Sequence, residues 1–176
     1  MTVQVDTERL RRDLDRVRAA ASDRERWDRR FLDVAKLVST WSKDPSTKVG
    51  AVLVDPATRW IVGQGYNGFP RGVDDSERRY ADRDTKLQMV VHAELNAILS
   101  AGSRARGATL YVFPTFTSPA APNMCTGCAK AAIQAGVARA VCWEPHGEPN
   151  SKWADEIHVA GIMCAEAGMT MDTVPW

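Results

Sequence analysis

The chain has 176 residues, in the range of a single domain at the usual ~150 residues each, and 23 Lys and Arg against 22 Asp and Glu leave a formal charge of +1. With 44% hydrophobic, 26% charged and 7% aromatic residues it has the make-up of an ordinary globular protein, which excludes a disordered, collagen-like or disulfide-scaffold chain. The near-neutral balance argues against nucleic acid held by many phosphate contacts, and no apolar run approaches the roughly 20 residues of a membrane-spanning helix.

Taken from the amino terminus, Met1 to Asp6 lacks the basic-then-apolar pattern of a secretory signal, so the expected location is cytoplasmic. From Asp6 to about Ala21, Leu10, Leu14 and Val17 recur at helical spacing among Arg and Asp, predicting a polar, peripheral helix. A second helix follows, with Trp27, Phe31, Val34, Val38 and Trp41 on one stripe, stopping at Asp44-Pro45. Residues 1–24 are therefore read as a helical extension and 25–176 as the domain proper. Val49–Asp55, the turn Pro56–Arg59 and Trp60–Tyr66 predict a β-hairpin. Asn67–Lys86 is too long and polar for a plain connection, and Ser76–Lys86 within it reads as a solvated charged loop or a lid.

The helix from His92 to about Ser100 offers Leu95, Ile98 and Leu99 to a core, and Ala108–Phe113 has strand character. After a second excursion, Pro114–Met124, the pattern predicts a helix over Cys125–Ala135 ended by Gly136, a strand over Ala138–Trp143, a helix over Trp153–Ala167 and a last strand over Met169–Thr173. Strands separated by helices predict a three-layer α/β/α fold around a five-stranded mixed sheet, mainly parallel, with the hairpin at one side.

Chemistry concentrates at two helix starts. His92-Ala93-Glu94 opens one helix, and Cys125-Thr126-Gly127-Cys128 opens another. Cysteines three apart on one helical face can both reach a Zn²⁺ ion at about 2.3 Å, with His92 as third ligand, and three protein ligands leave a fourth position for water. Helix dipoles at both starts favour thiolate over thiol. Glu94 stands too close to His92 to share its direction, and fits a proton shuttle better than a ligand. Hydroxide on the zinc would attack C4 of a cytosine-like ring while Glu94 carries a proton to N3, and once the tetrahedral carbon has formed Glu94 would in a second transfer protonate the departing amine. A redox Cys pair or a structural zinc site would leave the same Cys-x-x-Cys trace. Cys142 and Cys164, on an apolar strand and an apolar helix stripe, read as core thiols.

Four blocks in order resemble the deoxycytidylate deaminases of the cytidine deaminase superfamily: Trp41–Val54, Gly65–Gly72, His92–Ile98 and Cys125–Gly136. The resemblance implies a zinc-dependent deaminase domain that converts dCMP to dUMP, with His92, Cys125 and Cys128 on Zn²⁺ and Glu94 as general acid and base. It implies a substrate site that includes Asn67 on the sugar and Ala93, with Ser42, Lys43 and Lys48 near the phosphate. Tyr66, Gly68 and Arg71 fall in the loop that serves effectors in regulated members, so dCTP and dTTP are candidate effectors, and a homo-oligomer, commonly a hexamer, is implied. Where the family reads Pro-Cys-x-x-Cys, this chain places the Pro114–Met124 segment and Met124 before Cys125. That departure admits a 5-substituted deoxycytidylate or another aminated nucleotide as substrate. A tRNA or single-stranded DNA base deaminase and a non-catalytic nucleotide-binding protein are the other readings; the first wants a basic groove, and the second has no use for Glu94.

Overall fold

The computed structural model describes residues 7–114, 124–145 and 154–176. Most of the Pro114–Met124 excursion and Trp153 at the start of the last expected helix lie outside the described residues. Among the described residues no helix is long and apolar enough to cross a membrane.

The two helices expected at the amino terminus are one: α1 runs over Thr7–Ser39. No Gly or Pro falls between Ala21 and Trp27, and side-chain pairs Arg26–Asp23 and Arg29–Glu25 bridge the expected junction. Only its second half packs. Phe31, Leu32, Ala35 and Val38 are buried, whereas Leu10, Leu14 and Val17 stand in solvent. Trp41, expected on the buried stripe, lies beyond the helix end, half-exposed and edge-on to Tyr66.

β1 (Gly50–Val54) and β2 (Ile61–Tyr66) pair antiparallel from Gly50↔Tyr66 to Val54↔Ile61. The Asp55 carboxylate closes their turn by accepting the N–H groups of Ala57 and Thr58. β3 (Thr109–Phe113) is antiparallel to β1 and parallel to β4 (Arg139–Trp143), which is parallel to β5 (Thr170–Val174). The order β2-β1-β3-β4-β5 makes the sheet mixed as expected, although β1 sits inside it and so only the β3-β4-β5 half is parallel.

Strand alternation divides the core into two. Val52, Val54, Tyr111, Val141 and Trp143 point toward α1. Ala51, Leu53, Leu110, Val112 and Ala140 point to the other face, which is covered by α4 (Ala93–Ala101), α5 (Thr126–Ala135) and α6 (Ala154–Glu166). The buried face of α4 holds Ala93, Ala97, Ile98 and Ala101, and Leu99 stands on the other side in solvent, 69% exposed.

The expected solvated loop carries two short helices, α2 (Glu77–Ala81) and α3 (Arg83–Met89). Asp82 caps α3, accepting the N–H groups of Asp84 at 3.1 Å and Thr85 at 3.3 Å.

Candidate active site

His92 and Cys125 are both N-cap residues with extended backbone, so each side chain leaves its helix start toward the same space. The strand-like bridge between Gly68 and Val91 fixes the approach to His92, with Val91 N–H donating to the Gly68 carbonyl at 2.8 Å. Cys125 Sγ accepts the Cys128 N–H at 3.4 Å, which ties the second cysteine back over the first turn of α5.

His92 Nδ1 lies 3.3 Å from Cys125 Sγ and 3.5 Å from Cys128 Sγ, and the three ligand atoms all lie within 4.8 Å of one another. A nitrogen and a sulfur on one tetrahedral zinc would stand about 3.6 Å apart, so this spacing fits the ion with little adjustment. Protonation fits as well. The hydrogen bond from Cys128 draws Cys125 down to about 4, and the same bond drives the Cys128 thiol up. The hydrogen bond to Cys125 raises His92 to about 9. Without metal the group thus holds its charge with shared protons, the ones a cation displaces on binding.

Glu94 is buried, and burial raises its carboxyl above the usual 4.5 against the opposing pull of a charged His92. It lines the same cavity as the metal group, a cleft of about 430 Å³ whose other walls come from the 44–49 segment, α3 and α6. A carboxyl whose pKa burial raises, standing beside a metal position, is placed to accept a proton and return it.

Of the residues expected at the site, His92, Ala93, Glu94, Cys125 and Asn67 line this cavity and Cys128 completes the metal group. Asn67 Oδ1 accepts the Val49 N–H and its Nδ2 donates to the Thr47 carbonyl, both at 2.8 Å, so its amide also shapes the wall. Ser42, Lys43, Lys48, Tyr66, Gly68 and Arg71 are not among the lining residues. Ser42 is buried, donating to the Asn67 carbonyl, and Lys48 Nζ donates to the Ser42 carbonyl at 2.7 Å. Lys43 is exposed and paired with Asp75, whose hydrogen bond raises it.

The sequence reading passed over Asp44, Ser46 and Glu156 and placed Arg83 and Lys86 only within a stretch read as a solvated charged loop or a lid; all five line the cavity. Arg83, Lys86, Leu87 and Val90 fall at positions one, four, five and eight of a helical face, a signal present but buried in a charge-rich stretch. Asp44-Pro-Ser-Thr carries the signal of an Asx turn. Asp44 Oδ1 accepts the Ser46 N–H at 2.8 Å and the Thr47 N–H at 3.1 Å. Glu156 accepts the N–H of Thr126 at 3.2 Å and its hydroxyl at 3.1 Å, joining α6 to the cysteine-bearing turn; no spacing rule points to it.

Residues 25–144 match the family model described as the cytidine and deoxycytidylate deaminase zinc-binding region. The chain is 38% identical over 152 residues to an uncharacterized deaminase of the luxG 3′ region of Aliivibrio fischeri, across 85% of this chain and 95% of that one. It is 38% identical over 152 residues to human deoxycytidylate deaminase, across 82% and 77%. The dCMP deaminase of cyanophage S-TIM5 in its apo form superposes with a TM-score of 0.55 at 25% identity, across 84% of this chain and 94% of that one.

Proposed function

The chain belongs to the cytidine and deoxycytidylate deaminase family, and from that premise we propose that it hydrolyses dCMP to dUMP and ammonia. The observation that carries this reading is the buried Glu94 carboxyl in the same cleft as the His92, Cys125 and Cys128 group. Human deoxycytidylate deaminase, 38% identical, supports the choice of nucleotide.

His92, Cys125 and Cys128 would hold a zinc ion, and the chemistry it would supply is Lewis-acid activation of water. Glu94 would take one proton from the attacking water and deliver it to ring N3, then take the remaining proton from the new C4 hydroxyl and pass it to the amine, so that the C4–N bond breaks as the C4 carbonyl forms and ammonia leaves. Burial raises its pKa, which favours the return of a proton as well as its uptake by one carboxyl. Ala93, Asn67 and Met124 form walls that orient the base and sugar and exclude bulk water. We take residues 25–176 as the deaminase domain and 1–24 as an extension outside it, a reading supported by the exposure of Leu10, Leu14 and Val17.

The test is ammonia release by the zinc-loaded protein from dCMP, CMP, dCTP, deoxycytidine, 5-methyl-dCMP, dAMP and dGMP. Preference for dCMP is expected. Preference for 5-methyl-dCMP would reassign the substrate within the same chemistry, and release from none of them would overturn the reading.

A further inference from the structure

Among the described residues that line the cleft assigned to the nucleotide, one cation has no partner to offset it. The cleft's charged lining residues are Asp44, Arg83, Lys86, His92, Glu94 and Glu156 among those described. His92 and Glu94 belong to the reacting end, and Glu156 is bound to Thr126 next to Cys125. Lys86 is committed: its Nζ lies 3.1 Å from Asp44 Oδ2 and 2.6 Å from Ser46 Oγ, with the side chain 12% exposed. Arg83, one turn earlier on the same face of α3, makes no hydrogen bond or ion pair with any described residue.

An unpaired exposed arginine is ordinary by itself. This one stands on the wall of a 430 Å³ cleft, on the same helix face as a buried ammonium and in company with the side chains of Ser46 and Thr47. A phosphate monoester is held by such a set: an unpaired guanidinium fork, an ammonium fixed in place by its carboxylate partner, and hydroxyl donors. Asp44 locks Lys86 in position while itself held by the Ser46 and Thr47 N–H groups, so the fixed charge is set before any ligand arrives. The walls from α4 and α6 carry Glu94 and Glu156, which disfavour a dianion there.

We propose that Arg83, backed by Lys86, binds the 5′-phosphate and makes the cleft selective for a nucleoside monophosphate over the nucleoside. The proposal rests on the nucleotide reading above and deepens it by naming the residues that select the phosphate. It puts the anion site on α3, away from Lys43 and Lys48, neither of which lines the cleft.

Calorimetric binding of dUMP and of deoxyuridine to the zinc-loaded protein tests it without turnover. The wild type should prefer dUMP, and Arg83→Ala should cut that preference by about 10- to 100-fold, the worth of a charge-assisted hydrogen-bond pair. Arg83→Lys should keep part of it and Lys43→Ala all of it. A preference in Arg83→Ala within about threefold of wild type, or no preference in the wild type, would overturn the assignment. Arg83→Gln, which keeps a polar side chain but removes the charge, repeats the reading should the alanine variant fold poorly. If dCMP releases no ammonia while the dUMP preference depends on Arg83, the catalytic reading falls and the phosphate site stands; turnover of dCMP with a preference indifferent to Arg83 gives the converse.

Discussion

Arg139 on β4 and Asp28 on α1 meet in a two-pronged ion pair, Nη1 to Oδ1 and Nη2 to Oδ2, both at 2.8 Å. Tyr111 on β3 donates its hydroxyl to the same Asp28 carboxylate at 2.7 Å, and Arg139 Nε reaches Asp172 on β5. One buried carboxylate thereby links α1 to three strands. Asp28→Ala leaves a buried guanidinium with half its partners and should cost about 3–5 kcal/mol. Tyr111→Phe removes one hydrogen bond while keeping the ring and should cost about 1 kcal/mol. Urea unfolding at neutral pH reads both, and equal losses would contradict this ranking.

Gly65 on β2 lies under α4 with no room for a side chain. A Cβ there would meet the Ala97 nitrogen at 2.4 Å and the Ala93 carbonyl at 2.5 Å, both backbone atoms. Gly65→Ala must lift α4, the helix that begins at His92 and carries Glu94, and should cost about 1–3 kcal/mol as overpacking does. Zinc affinity, followed by competition with a chromophoric chelator, should weaken in parallel. Gly161 in α6 is the control: its Cβ would meet nothing within 4 Å, so Gly161→Ala should gain about 0.5–1 kcal/mol and leave zinc binding unchanged.

That contact shows what a linear sequence displays and what it hides. Helix starts at His92 and Cys125, the helix stop at Gly136 and the hairpin about Asp55 are local signals, legible because spacing and turn chemistry act over a few residues. The metal group was legible because two ligands share one helix turn and the third sits at another helix start. The outward turn of Leu99 was not, since it depends on which face of α4 packs against β2. Lys86 was missed for a related reason: its partner Asp44 is 42 residues away, and a charged side chain reads as solvated until its partner is known. The break expected between two amino-terminal helices failed differently, because a shift from exposed to packed surface does not require a break in the backbone.

Asp44 gives stability a defined acid limit. Burial alone would raise its carboxyl, but the N–H and hydroxyl of Ser46, the Thr47 N–H and Lys86 together hold it below the usual 3.8. A carboxyl lowered by folding contributes stability that is present above its unfolded pKa and lost as pH falls through the lower folded value. Wild type should therefore lose stability relative to Asp44→Asn as pH drops from about 4 toward the folded value, with the largest difference between the two at neutral pH. Thermal unfolding of both proteins from pH 7 to pH 2.5 checks this; a gap that widens on acidification would contradict it.

Cys128 holds a different kind of stability. Its thiol is buried in the first turn of α5, and the three-atom group needs its sulfur. Cys128→Ala should lose stoichiometric zinc, measured by elemental analysis, and lower the melting temperature of protein prepared with zinc, because metal binding and folding are coupled at such groups. After chelation the wild-type protein and the variant should melt much closer together. Full zinc retention in the variant would remove Cys128 from the ligand set.

Glu94 should show opposite effects on stability and turnover. Its raised carboxyl keeps a proton in the folded protein that the unfolded chain releases near 4.5, so rising pH favours the unfolded state until the folded carboxyl also ionises. Glu94→Gln abolishes that burden, and the metal-free variant should be more stable than metal-free wild type at pH 7, with the advantage shrinking toward pH 4. Turnover of dCMP should fall by at least about 10²-fold, the lower range for removing a general acid and base, with zinc content unchanged. Purely structural damage would lower stability and activity together. A gain in one with loss of the other separates a proton shuttle from a packing residue, and near-normal turnover would exclude Glu94 from the proton transfers.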